Sequence, residues 1–274
     1  MTGKPLVTLA PWDSLKRFTD ARIALGRAGH SLPTAAHLNF QLAHAQARDA
    51  VHLPMDVSNV ADTVESASLQ TMQLHSAAMN RTTYLQRPDL GRRLNEASRQ
   101  TLSQWSASNF APGQEDFDIA FAIVDGLSAL AIHRNAAPLL SAVIARLRSD
   151  TAQAWSIAPV ALVQQGRVAI GDEVGLALHA RVVVVLIGER PGLSSPDSLG
   201  IYITWAPRPG TTDAQRNCIS NVRPAGLQID AAAAKLHHLL TQSRALQLTG
   251  IGLKDETDSV ALSHQGAAPQ VRQP

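Results

Sequence analysis

Short runs of apolar residues in the second half of the chain are bounded by turn signals, as is typical of strands buried on both faces. Four such runs are present, at residues 118–124, 157–163, 181–188 and 200–205. Helical segments are predicted between or after them, at residues 135–148, 168–180 and 229–246. Strands that alternate with helices predict an α/β fold with a mostly parallel sheet and helices on both faces.

The first hundred residues have a different pattern, rich in alanine and poor in β-branched runs. Ser31 and Pro33 stand where the start of a helix favours them, and they predict a helix over residues 33–52. More helix is predicted over residues 55–84. A turn follows at residues 87–91, and another helix is predicted over residues 92–105. This part of the chain is therefore expected to be a helical layer.

The pattern changes near residues 111–113, which read Ala-Pro-Gly. Residues 254–274 are polar, contain Gly, Gln and Pro, and lack periodicity, which is typical of a disordered tail. We therefore expect three regions: a helical N-terminal region over residues 1–110, an α/β domain over 111–253, and a disordered tail over 254–274.

Ligands of open parallel sheets bind beyond the carboxyl ends of the strands. Two predicted strands end at candidate sites, one reading Asp125-Gly126-Leu127-Ser128 and the other Gly188-Glu189-Arg190-Pro191-Gly192. Glu189 follows a buried strand directly, which would hold its carboxylate near the ligand edge. The alternative interpretation is a solvated turn in which Glu189 pairs with Arg190.

Composition narrows the function classes. The chain of 274 residues is 45% hydrophobic and 17% charged, with a net charge of +2. Such a weak charge does not favour binding to nucleic acid or to a membrane surface. The single cysteine, Cys218, excludes an intramolecular disulfide, and the apolar run at residues 182–187 falls far short of the ~20 residues of a membrane helix. No signal peptide is recognisable, so the cytoplasm is the expected compartment.

Familiar catalytic motifs are absent from the sequence. No Gly-x-Gly-x-x-Gly, P-loop, Gly-x-Ser-x-Gly, His-Glu-x-x-His or Cys-x-x-Cys pattern occurs, which disfavours nucleotide-dependent oxidoreductases, serine hydrolases and zinc sites. His37 and His44 are seven residues apart, and we interpret them as a polar helix stripe rather than a metal pair. We interpret Cys218 as a small buried hydrophobic residue rather than a nucleophile. We assign neither catalytic residues nor metal ligands.

Six segments, in this order along the chain, resemble the small subunit family of ethanolamine ammonia-lyase. They are Gly26-Arg27-Ala28-Gly29, Arg87-Pro88-Asp89-Leu90-Gly91-Arg92-Arg93-Leu94, Asp125-Gly126-Leu127-Ser128, Gly166-Arg167-Val168, Gly188-Glu189-Arg190-Pro191-Gly192-Leu193 and Cys218-Ile219-Ser220-Asn221. The resemblance extends from about Arg22 to about Gly250. One short motif would be weak, but six in the same order are specific.

This resemblance implies a Rossmann-like domain that binds part of adenosylcobalamin at an interface with a large subunit. The family's cobalamin contacts fall on Val168, Glu189 and Cys218. The large subunit would supply a barrel and the ethanolamine site, and the complex would form acetaldehyde and ammonia by a radical mechanism. No histidine here has Asp two residues before it, so the chain lacks the Asp-x-His-x-x-Gly motif, consistent with the family's base-on cofactor.

Other questions stay open in the sequence. Some family members carry a long N-terminal extension that directs them into a bacterial microcompartment. The family-like region here begins about twenty residues from Met1, so such targeting is not expected through this chain. The resemblance leaves open the roles of Gly26, Arg27, Ala28 and Gly29, and those of Arg92 and Arg93. The alternative function is a stand-alone, non-catalytic small-molecule-binding α/β module.

Overall fold

A computed structural model describes residues 6–111, 114 and 116–254 of the chain, and the tail predicted over 254–274 lies outside these residues except for Lys254. The helices in the described part are α1 (Thr34–His52), α2 (Val57–Ser66), α3 (Arg81–Gln86), α4 (Glu96–Asn109), α5 (Ala129–Ala131), α6 (Ala137–Ser149), α7 (Ile170–Ala177) and α8 (Ile229–Leu246). The strands are β1 (Thr71–His75), β2 (Phe117–Val124), β3 (Val160–Gln164), β4 (Ala180–Gly188), β5 (Leu199–Trp205) and β6 (Asn217–Val222). A π-helical turn, Ile132–Ala136, joins α5 to α6.

The six strands form one mixed sheet in the order β1-β3-β2-β4-β5-β6. The first four strands in this order are parallel, whereas β5 and β6 are antiparallel to their neighbours. The α/β class is therefore confirmed, but the parallel arrangement ends at β4. Residues 189–198, which connect β4 to β5, contain no helix, and a parallel connection needs a crossover of roughly a dozen residues or more.

Helices cover both faces of the sheet, as predicted. Side chains of β2 alternate between the faces, so that Ile119, Phe121 and Ile123 join one core and Ala120, Ala122 and Val124 join the other. Helices α2, α6 and α8 contribute to the first core, and α4 and α7 to the second. Burial on both faces explains why β2 and β4 are continuous apolar runs.

Two strands were missed by the sequence analysis. The helix predicted over residues 55–84 is wrong in its middle, because β1 lies there and pairs with β3. The region over residues 1–110 thus contributes a strand as well as helices. In β1 only Leu74 is buried, and in β6 only Ile219 and Val222. An edge strand with so few buried side chains lacks the apolar run that identifies β2 and β4.

The segment before α1 lies over the surface with little packing. Its tryptophan, Trp12, is exposed, as are several of its leucines. The segment is attached to the loop after β4, since Arg22 donates to the carbonyl oxygen of Leu193 at 3.1 Å. Among the described residues, no helix is both long and apolar enough to cross a membrane.

Candidate functional site

Two adjoining cavities open at the carboxyl ends of the parallel strands. The strand-end cavity, about 430 Å³, is lined by Tyr84, Gly126, Leu127, Arg167, Val168, Ile187, Gly188, Glu189, Arg190 and Tyr202. The arginine cavity, about 630 Å³, is lined by Arg92, Arg93, Arg167, Val168, Ala169, Asp172, Glu173, Tyr202 and residues 209–213. Three residues, Arg167, Val168 and Tyr202, border both cavities, so the cavities adjoin, and we refer to the two together as the groove.

At the floor of the strand-end cavity, the turn after β2 lies close against the turn after β4. Gly126, just after β2, has φ +57°, a conformation that favours glycine. An added Cβ at Gly126 would lie 2.3 Å from the carbonyl oxygen of Gly188 at the end of β4. A Cβ at Gly188 would in turn lie 2.1 Å from the carbonyl oxygen of Ser128. Only glycine fits at either position, so the two glycines let the strand ends meet.

Beside these turns, the carboxylate of Asp125 holds the loop after β3. It accepts hydrogen bonds from the backbone N–H groups of Gln165, at 2.9 Å, and Gly166, at 3.2 Å. The guanidinium of Arg81 lies 3.9 Å from it. Burial raises the pKa of Asp125 to about 6, against the lowering effects of these hydrogen bonds and of Arg81. Asp125 therefore acts as a structural acceptor that shapes the loop carrying Arg167 and Val168.

Two arginines stack on the buried ring of Tyr84. The guanidinium carbons of Arg167 and Arg81 lie 4.4 Å and 4.7 Å from the ring centroid. Arg81 also donates to the carbonyl oxygens of Val51 and Gly126, at 2.6 Å and 2.8 Å. Arg167 donates to the carbonyl oxygen of Tyr84 at 3.1 Å. This stack joins α1, α3 and the ends of β2 and β3 into one rigid wall of the strand-end cavity.

Val168 lies between β3 and α7, where it borders both cavities. Its side chain is half-buried and packs against the core formed with α4 and α7. Val168 thus offers an apolar surface at the centre of the groove. The sequence had marked Val168 only through its motif.

Glu189 follows β4 directly, as predicted, and its side chain folds back over β5. Its Oε2 accepts hydrogen bonds from the Ser198 hydroxyl and from the Asn221 N–H, the latter at 3.2 Å. A Cβ at Gly200 would lie 3.0 Å from Oε1 of Glu189, so glycine at that position leaves room for the carboxylate. Within the described residues Oε1 has no hydrogen-bond donor, and Glu189 forms no ion pair with Arg190. The turn pairing offered as the alternative is therefore not observed.

Cys218 is exposed on β6, which corrects its interpretation as a buried hydrophobic residue. It faces Tyr202 across the β5–β6 pair. Partial burial of the thiol raises the pKa of Cys218, and the Glu189 carboxylate adds to this effect, while the Tyr202 hydroxyl opposes it. The pKa of Tyr202 is likewise raised, first by burial and then by Cys218. Both groups therefore stay protonated near neutral pH, which does not favour a thiolate nucleophile.

The fold brings the three predicted residues together around one aromatic ring, that of Tyr202. Val168 and Glu189 share a cavity wall with Tyr202, and Cys218 is its cross-strand neighbour. Sequence reasoning missed Tyr202. The available signal was its position near the centre of a predicted strand, with a hydroxyl that needs a polar partner.

The residues to which the sequence assigned no role lie in two different parts of the structure. Arg92 and Arg93 line the arginine cavity. Arg27 pairs with Thr8, and Ala28 with Ser31, in isolated β-bridges of the segment before α1. That motif therefore organises the N-terminal segment, and it contributes no residue to the lining of either cavity.

Metal-binding residues do not gather at the groove. Over the part of the chain that the structure describes, no group of three or more His, Cys, Asp or Glu side chains could hold a metal ion. His37 accepts or donates a hydrogen bond with Gln41, and His44 lies against the ring of Phe40. Both histidines therefore have ordinary helix-surface partners.

A family model and similar proteins of known name all relate the chain to one family. Residues 9–254 match the family described as ethanolamine ammonia-lyase light chain (EutC). The chain is similar to proteins named ethanolamine ammonia-lyase small subunit. That of Azotobacter vinelandii is 54% identical over 98% of this chain and 97% of the relative, and that of Ralstonia nicotianae is 58% identical over 92% and 91%. A relative of the same name from Pseudomonas putida is 54% identical over 95% of this chain and 93% of its own. The chain therefore belongs to the ethanolamine ammonia-lyase light chain family.

Proposed function

We propose that this chain is the cobalamin-binding small subunit of an ethanolamine ammonia-lyase. It acts in a complex with a large subunit, and the complex converts ethanolamine to acetaldehyde and ammonia. Family membership over residues 9–254 and the names of the similar proteins support the activity. The large subunit binds the ethanolamine, and this chain contributes no catalytic residue.

One observation carries the cofactor assignment: Val168, Glu189 and Cys218 surround Tyr202 on a groove at the strand ends. A corrin ring has apolar edges and a fringe of amides. It therefore needs an apolar surface bordered by a few hydrogen-bond acceptors. The half-buried Val168 and the Tyr202 ring provide the surface, and the free Oε1 of Glu189 provides an acceptor. The apolar surface and the acceptor of the groove thus fit the cofactor.

Glu189 has the most specific role in this proposal. Its Oε2 is held by Ser198 and Asn221, so its carboxylate is fixed before the ligand arrives. Oε1 is then aimed to accept a hydrogen bond from a corrin amide N–H. Such preorganisation reduces the entropy lost on binding. Cys218 makes a smaller contribution through van der Waals contact, since a thiol is a weak hydrogen-bonding group.

The chain positions the cofactor rather than ligating its metal. Neither cavity is lined by a histidine, so no imidazole of the groove replaces a ligand of the cobalt. Adenosylcobalamin supplies the cobalt–carbon bond whose cleavage provides the radical chemistry. The residues of this chain bind and orient the corrin and exclude water from the face that they cover.

The test is reconstitution of the complex. The chain is purified alone and together with a large subunit encoded in the same genome. Each preparation is incubated with adenosylcobalamin and freed of unbound cofactor, and its absorbance spectrum and acetaldehyde formation are then measured. We expect retained cofactor and activity only in the complex. Acetaldehyde formation by the chain alone would contradict the division of labour. Failure of the two chains to co-purify would favour a stand-alone binding module.

A further inference from the structure

The arginine cavity adjoins the strand-end cavity but has a different character. Its lining includes Arg92, Arg93 and Arg167. Arg92 and Arg93 are exposed, in the segment between α3 and α4, and Arg167 follows β3. Three guanidinium groups around one cavity are typical of a site for an anion with several oxygens.

Arg92 and Arg167 have no carboxylate partner within the described residues, and Arg93 shares its partner, Asp89, with Arg87. Within the described residues, the guanidinium of Arg92 has no ion-pair or hydrogen-bond partner. Arg93 lies 3.8 Å from Asp89, but that carboxylate already binds Arg87 through two hydrogen bonds of 2.8 Å and 3.0 Å. Arg167 donates to a carbonyl oxygen rather than to a carboxylate.

The carboxylates of the cavity wall, in contrast, are paired with other residues. Asp172 binds Arg216 through two hydrogen bonds of 2.7 Å. Glu173 accepts from Arg99 at 3.2 Å and from the N–H of Leu94 at 3.2 Å. Asp213 is exposed and lies 3.6 Å from Arg216. Asp172 and Glu173 are therefore engaged by other residues, whereas the side chain of Asp213 is almost fully exposed. The donors of Arg92 and Arg93 remain available to a ligand.

We propose that Arg92 and Arg93 bind the phosphodiester in the nucleotide tail of the cofactor, with Arg167 at the boundary. This inference rests on the proposed function. The two cavities adjoin at Arg167, Val168 and Tyr202, so a ligand whose corrin contacts Tyr202 is placed to extend its tail into the arginine cavity. The phosphodiester is the anionic group of that tail, and it matches the geometry of a guanidinium fork.

The proposal is tested with a pair of ligands. Adenosylcobinamide has the corrin and the adenosyl group of adenosylcobalamin but lacks the phosphodiester and its nucleotide. Dissociation constants of both ligands are measured by absorbance titration on the reconstituted complex. The proteins compared are wild type, Arg92→Ala/Arg93→Ala, Arg92→Lys/Arg93→Lys, and the control Arg48→Ala. Arg48 is an exposed arginine on α1, outside both cavities.

We expect the double alanine variant to bind adenosylcobalamin about tenfold to a hundredfold more weakly, because charged hydrogen bonds are lost. Its affinity for adenosylcobinamide should equal that of wild type. The lysine variant should recover part of the cobalamin affinity, and Arg48→Ala should change neither constant. Added salt should weaken cobalamin binding more in wild type than in the alanine variant.

Equal loss of affinity for both ligands would overturn the proposal, because the arginines would then act through the corrin or through the fold. Unchanged cobalamin affinity in the alanine variant would overturn it as well. Binding of neither ligand by the wild-type complex has a different meaning: it would refute the proposed function, and the inference with it. Circular dichroism of each variant confirms that its fold is intact.

Discussion

Two polar clusters lie at the same edge of the sheet, and they differ in burial and in how completely the oxygens of their carboxylates are bonded. The first comprises Asp125, Arg81 and Tyr84, where buried groups bind one another and the backbone. The second comprises Glu189, Tyr202 and Cys218, which are half-buried or exposed. Of the two carboxylate oxygens of Glu189, only Oε2 accepts hydrogen bonds from the described residues. We call the first the scaffold cluster and the second the ligand cluster.

Proximity to the ligand edge of a sheet therefore does not by itself give a residue a binding role. A buried carboxylate with both oxygens bonded, such as that of Asp125, has no acceptor left for a ligand, and its removal costs stability. Substitutions in a half-exposed cluster cost less stability, and an oxygen of the cluster that has no partner can bind a ligand. Substitutions in the two clusters should therefore separate stability from cofactor affinity.

The largest effect is expected for Asp125→Ala in the scaffold cluster. The substitution removes the acceptor for two backbone N–H groups and leaves Arg81 without its carboxylate. Removing one partner of a buried ion pair costs roughly 3–5 kcal/mol. Urea denaturation of the complex and of the chain should therefore show a large loss of unfolding free energy. A loss of unfolding free energy below about 1 kcal/mol would show that Asp125 does not stabilise the fold.

A pH dependence should identify the same carboxyl group. Asp125 has a folded-state pKa raised to about 6, above its ordinary value of 3.8. The folded state then binds the proton more tightly, so this stabilising contribution is full below pH 4 and is lost as the pH rises through 6. It amounts to about 3 kcal/mol at most, at about 1.4 kcal/mol per pKa unit.

The measurement compares wild type with Asp125→Asn, which is neutral at every pH. The difference in unfolding free energy between the two proteins should change in favour of the Asn variant as the pH rises from 4 to 7. A difference that is constant with pH, or that changes in the opposite direction, would contradict the raised pKa.

In the ligand cluster, Glu189→Ala should weaken cofactor binding, and it also removes the acceptor for the Ser198 hydroxyl and the Asn221 N–H. Loss of a hydrogen bond to a charged group costs roughly 1.5–3 kcal/mol, which is about a tenfold to a hundredfold weaker adenosylcobalamin complex. Glu189→Gln keeps an acceptor oxygen and should lose less. The Michaelis constant for ethanolamine at saturating cofactor should not change. If Glu189→Ala bound the cofactor like wild type, or changed only the Michaelis constant for ethanolamine, Glu189 would not be a cofactor-binding residue.

The smallest effect is expected at Cys218. Because a thiol is a weak hydrogen-bonding group, Cys218→Ser should alter cofactor affinity by no more than a few fold. The raised pKa of the thiol keeps the thiolate fraction low, so alkylation near neutral pH should be slow. Bound adenosylcobalamin should slow it further. Peptide mass spectrometry measures the alkylation rate of Cys218 with and without adenosylcobalamin. Equal rates would show that the bound cofactor does not contact Cys218.

The central strands and the long helices of this protein follow from local patterns of apolar residues. Strands β2 and β4 were predicted because burial on both faces demands continuous apolar runs, and α8 was predicted with its observed bounds, Ile229–Leu246. The position of Glu189 also followed from local information, since a residue after a buried strand must lie at the strand's end. The motifs in their order indicated the family to which the chain belongs.

The edge strands, the direction of β5 and the composition of the groove depend instead on contacts between distant parts of the chain. Strands β1 and β6 are held by backbone pairing with their neighbours, and backbone hydrogen bonds leave little trace in side-chain patterns. Tyr202 gathers Val168, Glu189 and Cys218 because β4, β5 and β6 lie side by side and the loop after β3 reaches the same edge. Contacts between residues so distant in sequence depend on strand order, which no local pattern contains.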